Sequence, residues 1–106
     1  MEGLELICFQ IISSVGTARS IFIEAIHEAK EGNIQAARDM ITEGAEVFTQ
    51  GHHSHMELIQ KEASGEKTEI NLLLLHTEDM LMSAESFRIL AIEFIDLYEI
   101  LNKKLK

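Results

Sequence analysis

The chain has 106 residues, of which 46% are hydrophobic and 25% are charged, a composition typical of one globular domain and not of a disordered tail. Its 18 acidic and 9 basic side chains give a formal net charge of −9. Because nucleic acids and anionic lipid surfaces bind cationic faces, this charge argues against both as partners.

The N-terminal segment lacks the pattern of an export signal or a membrane span. It carries acidic Glu2 and Glu5 where an export signal has basic residues. Its longest uncharged stretch, residues 6–18, is shorter than the roughly 20 residues that a bilayer requires. The single cysteine, Cys8, cannot form an intramolecular disulfide, and its apolar neighbours predict a small core side chain. We therefore expect a cytoplasmic protein without direct membrane insertion.

The first two helical segments are indicated by apolar residues at steps of three and four. The chain contains no proline, which favours long uninterrupted helices. Gly32 predicts the end of the first helix, and Asn33 predicts the N-cap of the second. The first stripe is Leu4, Ile7, Ile11, Val15, Ala18, Phe22, Ala25 and Ala29. The second stripe is Ile34, Ala37, Ile41, Ala45, Phe48, His52, Met56, Ile59 and Ala63.

A third helix is predicted after a second turn. Ser64 and Gly65 predict the end of the second helix, and Thr68 with Glu69 predicts the start of the third. Its stripe is Leu73, Met80, Ala84, Phe87, Ala91, Phe94, Tyr98 and Leu101. Turns this short require antiparallel neighbours. We predict an all-α fold, an up-down-up bundle with helices over about residues 3–31, 34–63 and 69–104, in one domain spanning residues 1–106.

The third helix is apolar on more than one side. Four consecutive leucines, residues 72–75, point nearly all round the axis, and a second stripe comprises Leu74, Leu81, Ile92 and Ile95. A helix that is apolar all round is normally buried all round, which two partner helices cannot achieve. We therefore expect self-association through this helix into a symmetric homo-oligomer.

His76 is the candidate reactive residue. It follows the four leucines and shares a helix face with Asp79, Ser83 and Ser86. A neutral imidazole whose second nitrogen is held by a hydrogen bond can act as a nucleophile. A histidine that makes only structural hydrogen bonds explains the same pattern, and the residues alone favour that alternative.

Residues 74–83, LLHTEDMLMS, resemble the active-site segment of the enzyme IIA components of the lactose/cellobiose class. These proteins belong to the bacterial sugar phosphotransferase system. The segments GTARS at 16–20, AKEGN at 29–33 and EASGE at 62–66 agree, so the resemblance extends over essentially the whole chain. It implies a phosphoryl carrier that assembles as a homotrimer of three-helix protomers, a nine-helix bundle.

The resemblance also implies specific roles. The phosphorylated histidine of the family falls on His76, which would accept phosphate from the histidine-containing phosphocarrier protein and pass it to a cysteine of the cognate IIB component. Asp79 matches a carboxylate that trimers bring together on the three-fold axis. Three like charges there are unfavourable unless a divalent, magnesium-like cation or protons neutralise them. No organic cofactor is expected.

Five further residues are predicted to form the wall of the active site: His52, Thr77, Glu78, Met80 and Ser83. Thr77 and Ser83 are the candidate hydroxyl donors. Two positions depart from the pattern that the resemblance implies, because relatives often have glutamine in place of Glu78 and histidine in place of Met80. An acidic Glu78 would repel an incoming phosphate unless it points away or is protonated.

Two pairs of polar residues outside the segment of His76 have more than one possible role. His52 and His55 at i, i+3 could ligate a transition metal. Structural or active-site-wall roles are favoured, because zinc needs three or four ligands and the resemblance implies glutamine as the more usual residue at position 55. Arg19 and Arg38 are candidates for anion binding, although charged helix residues usually form a solvated face.

Two rival functions remain for the whole chain. One is a two-component histidine phosphotransfer domain, which typically has lysine where Asp79 stands. The other is a non-catalytic helical interaction module.

Overall fold

The structure is a computed structural model that describes residues 3–105. It contains three helices, α1 (Gly3–Lys30), α2 (Ile34–Ala63) and α3 (Leu72–Lys104). They form a rod 59 Å long and 23 by 21 Å across. The all-α, up-down-up architecture predicted from the sequence is confirmed. Met1, Glu2 and Lys106, which the predicted domain includes, lie outside the described residues.

Both turns contain the glycine that the sequence assigned to the end of a helix. Gly32 has a φ of 92° and Gly65 a φ of 100°, a left-handed conformation that L side chains adopt only at a cost. In each turn the glycine N–H and the following N–H donate back to the last turn of the helix, as in a Schellman motif. Asn33 precedes α2 as predicted, but its side chain donates to Glu28 and does not cap the helix.

The predicted start of α3 at Thr68 and Glu69 is wrong by three residues. α3 begins at Leu72, and residues 66–71 form a non-helical connection. The reason is the side chain of Asn71, which accepts a hydrogen bond of 2.9 Å from the backbone N–H of Leu74. A capped N–H at this position fixes the first turn of the helix.

The core is formed around α1, whose predicted stripe is buried from Ile11 to Ala29, while Leu4 and Ile7 are half-buried and pack against the core. Cys8 is fully buried together with Ile11, Val15, Ala18, Phe22, Ala25 and Ala29. α1 is long and apolar enough to cross a membrane by length and composition alone. In this fold its apolar stripe packs against α2 and α3, as in the core helix of a globular domain.

The predicted stripe of α2 is wrong by about one position in its second half. The buried residues there are Gly51, His55 and Leu58, while His52 and Ile59 are exposed. The reason is close approach to α1 at Gly44 and Gly51. A Cβ atom at Gly51 would lie 2.7 Å from Val15 Cγ1, and one at Gly44 would lie 2.5 Å from the Phe22 ring. Glycine therefore sets the buried face here, which an apolar-residue count misses.

A broad apolar face of α3 has no partner among residues 3–105. Its large side chains are 40–81% exposed: Leu72, Leu75, Met82, Ile89, Leu90, Phe94, Leu97, Ile100 and Leu101. At about 100° per residue they lie within roughly 80° of the direction of Asp79, which is also exposed. We call this surface the open face of α3. Its existence confirms that three helices alone cannot cover α3.

The glycine contact between α1 and α2 can be tested with one pair of variants. We expect Gly51→Ala to lower the free energy of unfolding by about 1–2 kcal/mol, because overpacking against Val15 outweighs the gain in helix propensity. Gly16→Ala is the control, since its Cβ would meet only Met80 Cε at 3.6 Å. Alanine there should raise the free energy of unfolding by about 0.5–1 kcal/mol. Urea denaturation at equal protein concentration measures both, and a stabilised Gly51→Ala would contradict the packing argument.

Candidate functional site

His76 lies near the N-terminal end of α3 and is exposed to solvent. Helical side chains lean toward the N-terminus of their helix, so the imidazole covers the first turn, where the capped Leu74 N–H lies. That end of a helix carries a partial positive charge, which favours a negatively charged group on the ring. An exposed imidazole at this place can therefore react with a docking protein and hold an anion.

A single line along α3 is formed by four residues, of which His76 is the one at the N-terminal end. At about 100° per residue, Met80, Ser83 and Phe87 lie within roughly 40° of the direction of His76. The line faces α1, because Arg19 of α1 contacts three of its members. The Nη1 of Arg19 donates to Ser83 Oγ at 3.2 Å and lies 3.8 Å from Met80 Sδ. The guanidinium carbon is 5.4 Å from the centroid of the Phe87 ring.

Thr77 lies on the buried side of α3. It is fully buried, and its hydroxyl donates to the backbone carbonyl of Leu73 at 2.7 Å. This hydroxyl is therefore already engaged within the helix and directed away from solvent. Of the two predicted hydroxyl donors, Ser83 is therefore the better candidate for contact with a group on His76, because it is partly exposed and lies on the same line.

Glu78 is held by a histidine of α2. Its carboxylate accepts a hydrogen bond of 2.6 Å from Nε2 of His55, whose side chain is only 11% exposed. Glu78 and His76 are two residues apart and point to different sides of α3. The carboxylate is thus turned away from His76, which is one of the two conditions under which it would not repel a phosphate.

The pair of His55 and Glu78 was not predicted as a contact. Sequence reasoning treated His55 as a residue of a metal tract and Glu78 as an isolated departure from the family pattern. The resemblance offered a signal, because it implies glutamine as the more usual residue at both positions. Two simultaneous departures that create a charge-assisted hydrogen bond are explained by direct contact.

His52 lies on the exposed side of α2. Its ring stacks on Phe48 with centroids 6.3 Å apart and an angle of 20° between the planes. His52 and His55 thus point to different surroundings, one in solvent and one against α3. Within residues 3–105, His, Cys, Asp and Glu side chains form no group of three that could hold a metal. The assignment of His52 to the active-site wall stays a prediction.

The two candidate anion-binding arginines have different environments. Arg38 donates to Asp96 at 3.0 Å and to Glu99 at 3.1 Å. The hydrogen bond to Asp96 is the main cause of the raised pKa of the Arg38 guanidinium. Arg38 is therefore neutralised by carboxylates, while the recorded contacts of Arg19 are with neutral groups.

Comparison with known proteins identifies relatives of the entire fold. Residues 6–99 match the profile of the family described as "PTS system, Lactose/Cellobiose specific IIA subunit". The lichenan-specific phosphotransferase enzyme IIA component of Bacillus subtilis (strain 168) is 47% identical over 98 residues, which are 92% of this chain and 89% of the relative.

Two solved structures share the fold. The PTS cellobiose-specific enzyme IIA from Bacillus anthracis matches with a TM-score of 0.95 and 46% identity, covering 98% of this chain and 95% of that one. The solution structures of the IIA(Chitobiose)–HPr complex of Escherichia coli match with a TM-score of 0.82 and 31% identity, covering 96% and 99%. The helix arrangement is thus shared with proteins of one family.

Because His55 and Glu78 share a hydrogen bond, we expect mutations of the two residues to have non-additive effects on the free energy of unfolding. We expect His55→Leu to lower the free energy of unfolding by about 1–3 kcal/mol, because it leaves the partly buried Glu78 carboxylate unpaired. His55→Gln should cost less, because its amide can still donate. The double variant His55→Leu/Glu78→Leu should recover part of the loss. Urea denaturation of the wild type, His55→Leu, Glu78→Leu and the double variant completes the cycle, and additive effects would show that the contact contributes nothing.

Proposed function

The chain belongs to the lactose/cellobiose class of IIA subunits of the sugar phosphotransferase system, and from that premise we propose that it carries a phosphoryl group on His76. The observation that supports this proposal most directly is the exposed imidazole at the N-terminal end of α3. The residue matches the reactive position of the segment that resembles the family, and a protein partner can reach it.

The proposed reaction is an in-line transfer between two imidazoles. The lone pair of one ring nitrogen of His76 forms a P–N bond as the P–N bond of the donor histidine breaks and its electron pair returns to the donor ring. Catalysis of such a transfer rests on positioning and on neutralising the phosphoryl oxygens. The imidazole supplies the chemistry alone, so no organic cofactor takes part.

The donor and the acceptor are separate proteins. We propose the histidine-containing phosphocarrier protein as the donor, because a relative of 31% identity forms a complex with HPr. The acceptor would be a cysteine of the cognate IIB component, whose sulfur attacks phosphorus while the electron pair of the P–N bond returns to His76. Both partners would dock over the exposed N-terminal end of α3, and a cytoplasmic location fits these exchanges.

The local charges support an anionic intermediate. A phosphoryl group adds about −1.5 to −2 charges at neutral pH, so nearby carboxylates oppose it. The carboxylate of Glu78 is bound to His55 on another side of the helix. Glu78 thus acts in a structural pair, and the chain avoids the repulsion that this acidic residue would otherwise cause.

The open face of α3 supports assembly. We propose that three copies pack through this face into a homotrimer of nine helices, because exposed apolar surfaces of this extent mark interfaces. Asp79 lies within the face, next to exposed Leu75 and Met82. Symmetry would bring three Asp79 carboxylates together. Carboxylate oxygens are ligands that magnesium accepts, so these residues fit a divalent cation on the axis.

A non-catalytic oligomerisation module is the second candidate function, and the open face of α3 is the observation that favours it. Such a module needs the apolar face but no reactive histidine. The two proposals therefore differ in whether the chain is phosphorylated.

The phosphorylation proposal is tested by incubating the protein with phosphoenolpyruvate, enzyme I and the histidine-containing phosphocarrier protein. We expect one acid-labile phosphoryl group by intact mass, and none in His76→Gln. His27→Gln is the matched control, since His27 is exposed at the far end of α1 and paired with Glu24. If a known IIA is labelled under the same conditions and this chain is not, the oligomerisation module is the better explanation.

The trimer proposal is tested by light scattering at micromolar concentration. We expect three chains per particle, and a monomer for Leu90→Asp, which places a charge on the open face. Asp79→Leu should keep or raise the melting temperature of the trimer, because it removes a cluster of like charges. It should also abolish stabilisation by added magnesium, whereas Asp39→Leu on the exposed side of α2 should retain it. A wild-type monomer would refute the assembly, and a lower melting temperature for Asp79→Leu would refute the axial position.

A further inference from the structure

We propose that Arg19 of α1 binds the phosphoryl group on His76 and is the main cation of this chain that neutralises it. The inference rests on the proposed phosphorylation of His76 and adds the residue that receives the charge. It starts from the contacts of Arg19 with Met80, Ser83 and Phe87, which lie on the line of His76 along α3.

Arg19 contacts a residue that neighbours His76 along α3. Residues four apart on a helix surface are neighbours, with Cβ atoms about 5–6 Å apart, and Met80 is that neighbour of His76. Nη1 of Arg19 is 3.8 Å from Met80 Sδ. The guanidinium thus touches the residue next to His76 on the same face, and arginine has a long side chain whose rotamers change readily at a surface.

Gly16 leaves space between Arg19 and His76. Gly16 lies one turn before Arg19 on α1 and faces Met80, whose Cε would be 3.6 Å from a Cβ at this position. The surface of α1 between the guanidinium and His76 therefore carries no side chain at residue 16. A guanidinium that leaves Ser83 can move along this surface toward the imidazole.

Arg19 also differs from Arg38 in the charge of its surroundings. In a chain of net charge −9, Arg38 is bound by two carboxylates. Arg19 forms no ion pair with a carboxylate among residues 3–105, and its recorded partners are a hydroxyl, a thioether and a ring face. Neutral groups are weaker partners for a guanidinium than phosphoryl oxygens, which accept two parallel N–H bonds. A phosphoryl group would therefore displace these partners.

The role does not alter the stoichiometry of the transfer. The N–H groups of Arg19 donate to the non-bridging oxygens of the phosphoryl group while the P–N bond to His76 forms, and no proton leaves the guanidinium. When the phosphoryl group passes to the next carrier, Arg19 returns to Ser83 and Met80. The neutral partners hold the cation near His76 between the two transfers.

The experiment compares Arg19→Gln and Arg19→Lys with Arg38→Gln, which removes the same charge from a residue already paired with carboxylates. The rate of phosphorylation by limiting phosphocarrier protein is measured together with the lifetime of the isolated phosphohistidine. We expect Arg19→Gln to slow phosphorylation about ten- to hundredfold, the loss of a charge-assisted hydrogen bond, and Arg19→Lys to retain part of the rate. Arg38→Gln should leave both quantities unchanged.

A spectroscopic measurement distinguishes binding of the phosphoryl group by Arg19 from a purely structural role of this residue. In the wild-type protein, we expect the Nε–H resonance of Arg19 to shift on phosphorylation, and not in His76→Gln treated in the same way. This measurement needs no variant of Arg19, so it stands even if Arg19→Gln fails to fold. A phosphorylated wild type with an unshifted resonance, or a fully active Arg19→Gln, would overturn this inference alone. A wild type that is never labelled would overturn the proposed function and this inference with it.

Discussion

Burial of the apolar stripe of α1 between α2 and α3 is the interaction on which the other features depend. It fixes which residues of the three helices meet, because the stripe runs the length of α1 and admits one register. The approach of Gly44 and Gly51 to α1 sets the rotation of α2. That rotation turns His55 toward Glu78, and the packing of α3 on α1 brings Ser83 to Arg19. Contacts near His76 are therefore consequences of core packing.

The architecture followed from the sequence where one kind of signal dominated. The stripe of α1 is regular over seven turns, and Gly32 and Gly65 end helices because both adopt positive φ. Sequence reasoning failed where two signals competed. Thr68 with Glu69 has the composition of a helix start, but Asn71 supplies the cap that is used. Along α2, apolar residues indicated one face, while glycines allowed the neighbouring face to approach α1 more closely.

The sequence predicted which residues form the candidate site, but it did not predict the contacts between them. Resemblance placed the reactive position at His76, and spacing placed Asp79 on a shared exposed side. The residue pattern of one helix does not predict its contacts with another helix, because these contacts depend on the relative rotation and shift of the two helices. For that reason, the partnership of His55 with Glu78 and the environment of Arg19 emerged only from the structure.

The bond between His55 and Glu78 also restricts how this sequence can evolve. If Glu78 is replaced alone, a nearly buried imidazole loses its acceptor; if His55 is replaced by a residue that cannot donate, the Glu78 carboxylate is left unpaired. The two positions are thus epistatic, and the mildest single substitution is one that keeps a donor at position 55, such as His55→Gln. Descendants of this chain should therefore exchange His55 for another donor before Glu78 changes.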